Sequence, residues 1–346
     1  MLGGEYEAFR AEYEKPHRRG VRLNTLKCDA ETLARTLPFP LAPTPFSPLS
    51  YYAPEAVRMA SLPLYHAGAF YSQEPSASSA VTLLDPQPGE KVLDLCAAPG
   101  GKSTQIAALT GDRGLLWSNE VVRSRASALA SNLERMGVKN AVVSSVYPEV
   151  LAEKLEGYFD RVLVDAPCSG EGMFRRDPQA IAEWSPAHVE ACAARQLAIL
   201  GSAARCVREG GVLVYSTCTF SEEENEGVVR AFLRENPGFV LKKPDVAFGR
   251  PAYASTLSAS FRWTAGKGIS RRASGARRRM GMRPGRTTKS RTGRRKRRRK
   301  RFARRFSRTG RRTALRACAT ASCCCRRRCR RFRVSASCAP AWSSAK

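Results

Sequence analysis

From about residue 80 the chain repeats one pattern five times: a short apolar run, a loop of small residues, then a segment of helical length. The runs are "KVLDLC" (91–96), "GLLWSNE" (114–120), "NAVVSS" (140–145), "FDRVLVDAPC" (159–168) and "GVLVYSTC" (211–218). Strands that are apolar on both faces must be covered on both, and intervening helices make the crossovers parallel. The pattern predicts an α/β fold with a parallel sheet between two helical layers. One helix is delimited on its own evidence: in "SPAHVEACAARQLAILGSAARCVREGG", Ser185 is the N-cap, Pro186 the first helical position, and Gly210 lies beyond the end. "SEEE" at 221–224 predicts a capping box opening the next helix. Upstream, residues 1–37 read as helix around a strand-like "GVRLNTLK", and "LPFPLAPTPFSPL" as an extended connection.

Charge divides the chain more sharply than hydropathy does. Its 346 residues carry 59 basic and 30 acidic side chains, yet residues 261–346 hold 32 of the basic ones and no acid. The first 260 residues are thus close to neutral. Cysteine divides the same way: Cys28, Cys96, Cys168, Cys192, Cys206 and Cys218 are dispersed, and six more crowd into 318–338 without the paired spacing of a zinc site. The opening "MLGGEYEAFRAEYEK" lacks the apolar core of a secretory signal, and no run reaches membrane-spanning length. A cytoplasmic, reduced protein with free thiols is expected, without membrane or metal.

The loop "CAAPGGK" (Cys96, Ala97, Ala98, Pro99, Gly100, Gly101, Lys102) admits two readings. A phosphate-binding Walker loop needs glycine where Cys96 stands, and Pro99 removes a backbone donor. A Rossmann-like turn needs small residues at the sheet's carboxyl edge and an acid about twenty positions on, at the end of the second strand; Glu120 stands there. That spacing alone leaves a nicotinamide cofactor open.

Further along, Asp165 and Cys168 follow the fourth strand and Cys218 ends the fifth. In a doubly wound sheet these ends open into the same crevice as the loop after the first strand. Cys96, Cys192 and Cys206 read as small apolar fillers, and His17, His66 and His188 as ordinary surface or core residues. A thiolate beside an adenosine-type cofactor suits one reaction well. Addition to carbon 6 of a pyrimidine makes carbon 5 nucleophilic enough to attack an electrophilic methyl group. A carboxyl group near the ring nitrogen favours the addition, and a second polar group is needed when the thiol is expelled.

"VLDLCAAPGGKSTQIA", "NE", "VLVDAPCSGEGMFRRDP" and "YSTCTFSEEENEGVV" together resemble the Sun/Nop-type RNA (cytosine-5) methyltransferases; "VRLNTLK" and "GAFYSQEPSASSAVTLLDPQPGE" are similar to that family's N-terminal part. The resemblance covers residues 20–240. It implies a Rossmann-like S-adenosylmethionine-dependent methyltransferase sheet (76–250) behind a small α+β N-terminal RNA-binding-type domain (1–75). It implies S-adenosyl-L-methionine held by residues 96–102, Glu120 and Asp165. It makes Cys218 the nucleophile, Cys168 the residue assisting product release and Asp165 a catalytic carboxyl. The implied partner is RNA, ribosomal ahead of transfer RNA, bound by a monomer. The chain departs from the family after the third strand, where "VVSSVYPEV" has its acid, Glu149, late. Arg175, Arg176 and Asp177 beside the second cysteine loop are either RNA-backbone contacts or a solvated face.

Residues 251–346 read as an Arg-rich, disordered tail, including "RTGRRKRRRKRFARR" at 291–305. A basic arm would bind RNA by counterion release, which leaves a non-catalytic RNA-binding or ribosome-associated protein as the rival to the enzyme. A folded RNA-binding module would need periodicity the tail lacks. An out-of-frame translation fits better: "GKGIS" at 266–270 has codons that, shifted, encode the family's Glu-Gly-His-Phe. On that reading the sheet's last two strands are lost, and the fifth strand becomes an unprotected, aggregation-prone edge.

Overall fold

The computed structural model describes residues 6–13, 18–111, 113–242, 246, 248 and 259–263; the expectation of a disordered, out-of-frame tail falls, beyond 263, outside the described residues. Helix α1 (Tyr6–Tyr13) precedes a four-stranded antiparallel sheet in the order β2-β3-β1-β4. Its elements are β1 (Arg19–Leu23), α2 (Ala30–Thr36), β2 (Ala42–Pro43), β3 (Ser50–Ala53), α3 (Pro63–His66) and β4 (Phe70–Ser72). Val21, Leu23, Leu33, Phe39, Met59 and Phe70 form its core. The proline-rich connection supplies only the two-residue β2, at the sheet edge, where a residue without an N–H is tolerated.

Helix α4 (Ser79–Leu84) leads into a second sheet. There follow β5 (Lys91–Asp94), α5 (Gly101–Thr110), β6 (Leu115–Asn119), α6 (Arg123–Met136), β7 (Ala141–Ser144), α7 (Pro148–Lys154) and β8 (Phe159–Asp165). The chain continues through α8 (Pro178–Glu183), α9 (Pro186–Cys206), β9 (Val207–Ser216), α10 (Val228–Glu235), β10 (Phe239–Lys242) and β11 (Ala259–Trp263). Strand order is β10-β11-β9-β8-β5-β6-β7, with the five strands from β9 to β7 parallel, as their two-sided apolarity predicts. Along β8, Val162 and Val164 enter one core with Leu93, Phe159 and Leu213, while Leu163 enters the other with Val92, Ile106 and Leu116. Each such fully buried side chain contributes about 1.5–3 kcal/mol. The order in which strands are added reverses between β5 and β8, so the crevice at their carboxyl ends is the switch point where ligands bind in such sheets. Among the described residues no helix is long and apolar enough to cross a membrane.

Three expectations are corrected. Strand β9 is not an edge: β11 pairs antiparallel with it, Phe261 opposite Leu213, and β10 pairs with β11. The short alternating "ASFRW" supplies a partner for the exposed backbone of β9, so 259–263, assigned to the tail, belongs to the sheet. Helix α9 does begin at the Ser185 cap, whose hydroxyl accepts from His188 N–H, but it ends at Cys206 and runs straight into β9. Gly210 (φ +74°) sits inside β9, in a bulge where pairing jumps from Phe159–Val207 to Arg161–Val212. Finally, Ser221 Oγ does accept from Glu224 N–H at 3.4 Å, yet the Glu224 side chain does not return to close the box. It is used elsewhere, and a π-helical turn, Glu223–Gly227, opens the segment.

Candidate active site

The loop after β5 is shaped by its backbone. Ala97 N–H donates to Asn119 O at 2.8 Å, and Gly100 N–H to Ala97 O at 2.8 Å. Gly100 has φ +107°, and a Cβ there would lie 3.1 Å from Leu129 Cδ1, so only glycine fits. The residues singled out in this loop then divide. Cys96 and Ala98 line a cavity of about 740 Å³; Pro99 is exposed, its carbonyl accepting from Asn132. Gly100 and Gly101 make the turn into α5. Lys102 reaches across to Asp165, Nζ to Oδ2 2.6 Å.

Glu120 stands at the end of β6, 5% exposed, its Oε1 accepting from Val122 N–H and its Oε2 3.5 Å from Arg125. The same cavity is lined by Val121, Val122 and Pro148, and by Glu149, the late acid of the third-strand loop. Asn119 had no role in the sequence reading; it joins this loop to the first, its amide donating to Leu95 O and Val146 O while its Oδ1 accepts from Ser144 Oγ and Val146 N–H. Asp94, at the end of β5, is wholly buried against Ser103 Oγ (2.6 Å), and burial pushes its carboxyl up to about 7.

Asp165, Cys168 and Cys218 line the same cavity. Asp165 Oδ1 accepts from Ser216 Oγ at 2.7 Å, so both its oxygens are held. Burial opposes the charge on Lys102, but the adjoining carboxylate overrides it and raises the ammonium pKa. Cys168 Sγ lies 3.1 Å from Cys218 Sγ, and Cys218 N–H donates to Cys168 Sγ at 3.3 Å. Both thiols are free. The hydrogen bond from Cys168 pulls the Cys218 thiol below its ordinary value, against burial and the Asp165 charge and with help from Lys102. The same bond, with burial, pushes Cys168 up. The pair is thus one donor thiol and one thiol inclined to ionise.

What holds the two cysteine loops in register was not foreseen. Glu224 is fully buried, its Oε2 accepting from Ser169 N–H (3.0 Å) and Gln196 Nε2 (2.7 Å). Gln196 also donates to Pro167 O and accepts from Tyr215 OH, which donates to Glu224 O as well. On the outer side Glu171 Oε2 accepts from Thr219 Oγ1 and Phe220 N–H. "ENE" and the lone glutamine of α9 carried no local signal for this, because the partners lie 9 to 55 residues apart. Cys192 and Cys206 are core fillers, as read. His188 differs slightly from its reading, since it lines the cavity as well as contacting Cys192. His66 holds Ala60 O, and His17 lies outside the described residues.

Two family models match the chain: 16S rRNA methyltransferase RsmB/F over residues 81–252, and the N-terminal domain of 16S rRNA methyltransferase RsmF over residues 1–75. The ribosomal RNA small subunit methyltransferase F of Enterobacter sp. (strain 638) is 41% identical over 233 residues, 64% of this chain and 48% of that protein. The chain spans about half the length of the curated relatives it matches. Among solved structures, a methyltransferase homolog protein from Pyrococcus horikoshii is 28% identical with a TM-score of 0.65, covering 76% of this chain and 92% of that one. NSun6 from Pyrococcus horikoshii, solved with SFG, shares the fold at a TM-score of 0.69 and 23% identity, covering 77% and 96%.

Proposed function

The chain belongs to the RsmB/F family of 16S rRNA methyltransferases, and from that premise we propose that it transfers a methyl group from S-adenosyl-L-methionine to carbon 5 of a cytosine in RNA, ribosomal RNA first, through a covalent bond to Cys218. The observation that carries the proposal is the pair of free thiols 3.1 Å apart in a cavity that Glu120 also lines. A Walker-type use of the loop is disfavoured, because Lys102 is engaged by Asp165.

The cavity fits the cofactor's parts. Glu120 retains lone pairs for the ribose hydroxyls. Val121 and Val122, open to the cavity, offer apolar faces to the adenine, and Glu149 offers an acceptor at its edge. When bound, S-adenosylmethionine supplies an electrophilic methyl carbon. Everything else is done by the chain. Cys218, ionised with the help of the Cys168 hydrogen bond, adds to carbon 6 of the cytosine. The Lys102–Asp165 pair faces the ring nitrogen: as the 5,6 double bond is spent and negative charge develops there, the Lys102 proton passes through the Asp165 carboxyl to that nitrogen. Once carbon 5 is methylated, its proton passes to solvent, the 5,6 double bond re-forms, the carbon–sulfur bond breaks and the proton on the ring nitrogen returns to the Lys102–Asp165 pair. Cys168, with its proton retained and 3.1 Å away, is placed to protonate the departing Cys218. Two working thiols fit a reducing, cytoplasmic setting. Residues 1–75 would carry RNA contacts and residues 76–250 the chemistry.

The test is methyl transfer from radiolabelled S-adenosylmethionine to small ribosomal subunits or their naked RNA, with nucleoside mass spectrometry of the product. 5-Methylcytidine is the expected product. A methylated ribose, a different base, or no transfer to any ribosomal RNA would refute the proposal.

A further inference from the structure

Away from the large cavity, a second pocket of about 220 Å³ lies between the N-terminal sheet and the loop that follows Cys168. It is lined by Arg18 and Arg19 at the start of β1, by Ser72 at the end of β4 with Gln73 and Glu74 after it, and by Arg176. Three guanidinium groups from two distant segments line it, although the first 260 residues are nearly neutral. Arg19 and Arg176 form no ion pair among the described residues. Arg18 packs on the Tyr52 ring. The carboxylate of Glu74 is turned to its own segment, where Oε2 accepts from Ala77 N–H and Ser76 Oγ.

Gln73 sharpens the donor set. Arg22, buried beneath, donates to Gln73 Oε1 at 2.7 Å, to Gly101 O and to Thr104 Oγ1 at 2.7 Å. With its oxygen taken, the Gln73 amide presents its two N–H donors. The pocket therefore offers guanidinium and amide donors around a concavity, the chemistry that binds a phosphodiester. Its walls are tied to the chemical site on both sides. Arg22 connects Gln73 to the Gly101 turn, and Arg176 lies in the segment whose Gly172 N–H donates to Cys218 O at 2.8 Å.

We propose that this pocket binds a backbone phosphate of the RNA strand near the target cytosine, with Arg19 and Arg176 as its principal contacts and Arg18 and Gln73 completing it. The inference rests on the RNA substrate assigned above and adds the place where the strand is gripped.

Full-length wild type and R19A/R176A are compared for binding to single-stranded RNA over a range of salt concentrations. Each lost phosphate contact lowers the magnitude of the log–log salt slope by about 0.7, so the double variant, which loses the one phosphate held here, should show a slope smaller by about 0.7. The basic tail contributes equally to both chains and cancels in the difference. R205A/R234A, which removes two exposed arginines that do not line the pocket, should leave the slope unchanged, and R19K/R176K should restore most of it. In methyl transfer, R19A/R176A should raise KM for RNA tenfold or more at an unchanged kcat. An unchanged slope, or an equal drop in R205A/R234A, overturns the pocket assignment. A wild-type chain that loses slope on R19A/R176A yet transfers no methyl group upholds the pocket and overturns the catalytic reading instead.

Discussion

Replacing Glu224 by alanine should loosen both cysteine loops at once. Its buried Oε2 holds Ser169 N–H at 3.0 Å and Gln196 Nε2 at 2.7 Å, one group on the Cys168 loop and the other on α9. A hydrogen bond to a charged acceptor contributes about 1.5–3 kcal/mol, so losing two removes about 3–6 kcal/mol. Two effects reduce this: Gln196 keeps Pro167 O, and the cost of burying a carboxylate whose Oε1 has no partner disappears with it. The net loss should be about 3 kcal/mol, which in a domain of this size lowers the unfolding midpoint by about 6–12 °C. E224Q keeps one acceptor oxygen and should lose about 1–2 kcal/mol. Because a 1 Å misplacement of reacting groups costs about a hundredfold in rate, E224A should also slow methyl transfer by about that factor, with S-adenosylmethionine affinity little changed. Thermal unfolding, calorimetric cofactor titration and single-turnover methyl transfer read the three quantities. An E224A chain within 0.5 kcal/mol of wild type and transferring at the wild-type rate would refute the reasoning.

Three further outcomes follow from the same geometry. The thiol of Cys218 is held below its ordinary value by the Cys168 hydrogen bond, so its thiolate survives to lower pH; the rate should fall only as pH drops through that lowered value, and C168A should move the acid limb to higher pH, as read by pre-steady-state adduct formation. Asp94, raised by burial to about 7, binds its proton more tightly folded than unfolded, so its contribution to stability is full below the unfolded value near 4 and is lost as pH rises through 7. Denaturant titrations should therefore show stability falling by a few kcal/mol between about pH 4 and 8, and D94N should flatten that fall. Gly100→Ala forces a side chain into φ +107° against Leu129, a strain of about 1–3 kcal/mol, and should weaken S-adenosylmethionine binding in calorimetry more than it lowers the unfolding midpoint.

The parts of this molecule legible in its sequence are those whose signals are local. Five apolar runs gave the parallel sheet because two-sided burial leaves no polar alternation to misread. Strand ends gave the positions of Asp165, Cys168 and Cys218 because parallel topology sends every carboxyl end to one edge. The ties between the loops were hidden for the converse reason. Gln196, Tyr215 and Glu224 meet only once α9 packs on the sheet, and an isolated Gln or Glu looks the same buried or solvated. Arg22 was hidden by alternation: it sits among apolar residues on β1, wholly buried, with carbonyl, hydroxyl and amide oxygens as partners in place of a carboxylate. Gly210 misled because a left-handed glycine ends helices and bulges strands alike. Strand β11 was missed because its pairing is antiparallel and its five residues lie beyond the repeating unit.

The most direct test of the central claim is covalent trapping with RNA containing 5-fluorocytosine at the target, where fluorine blocks the loss that would release the enzyme. Wild type should form an adduct stable to denaturation, mapped by mass spectrometry to Cys218. C218A should form none. C168A should still form it, and should in addition accumulate an adduct on unmodified RNA. An adduct on Cys168, or an undiminished adduct in C218A, would contradict the account.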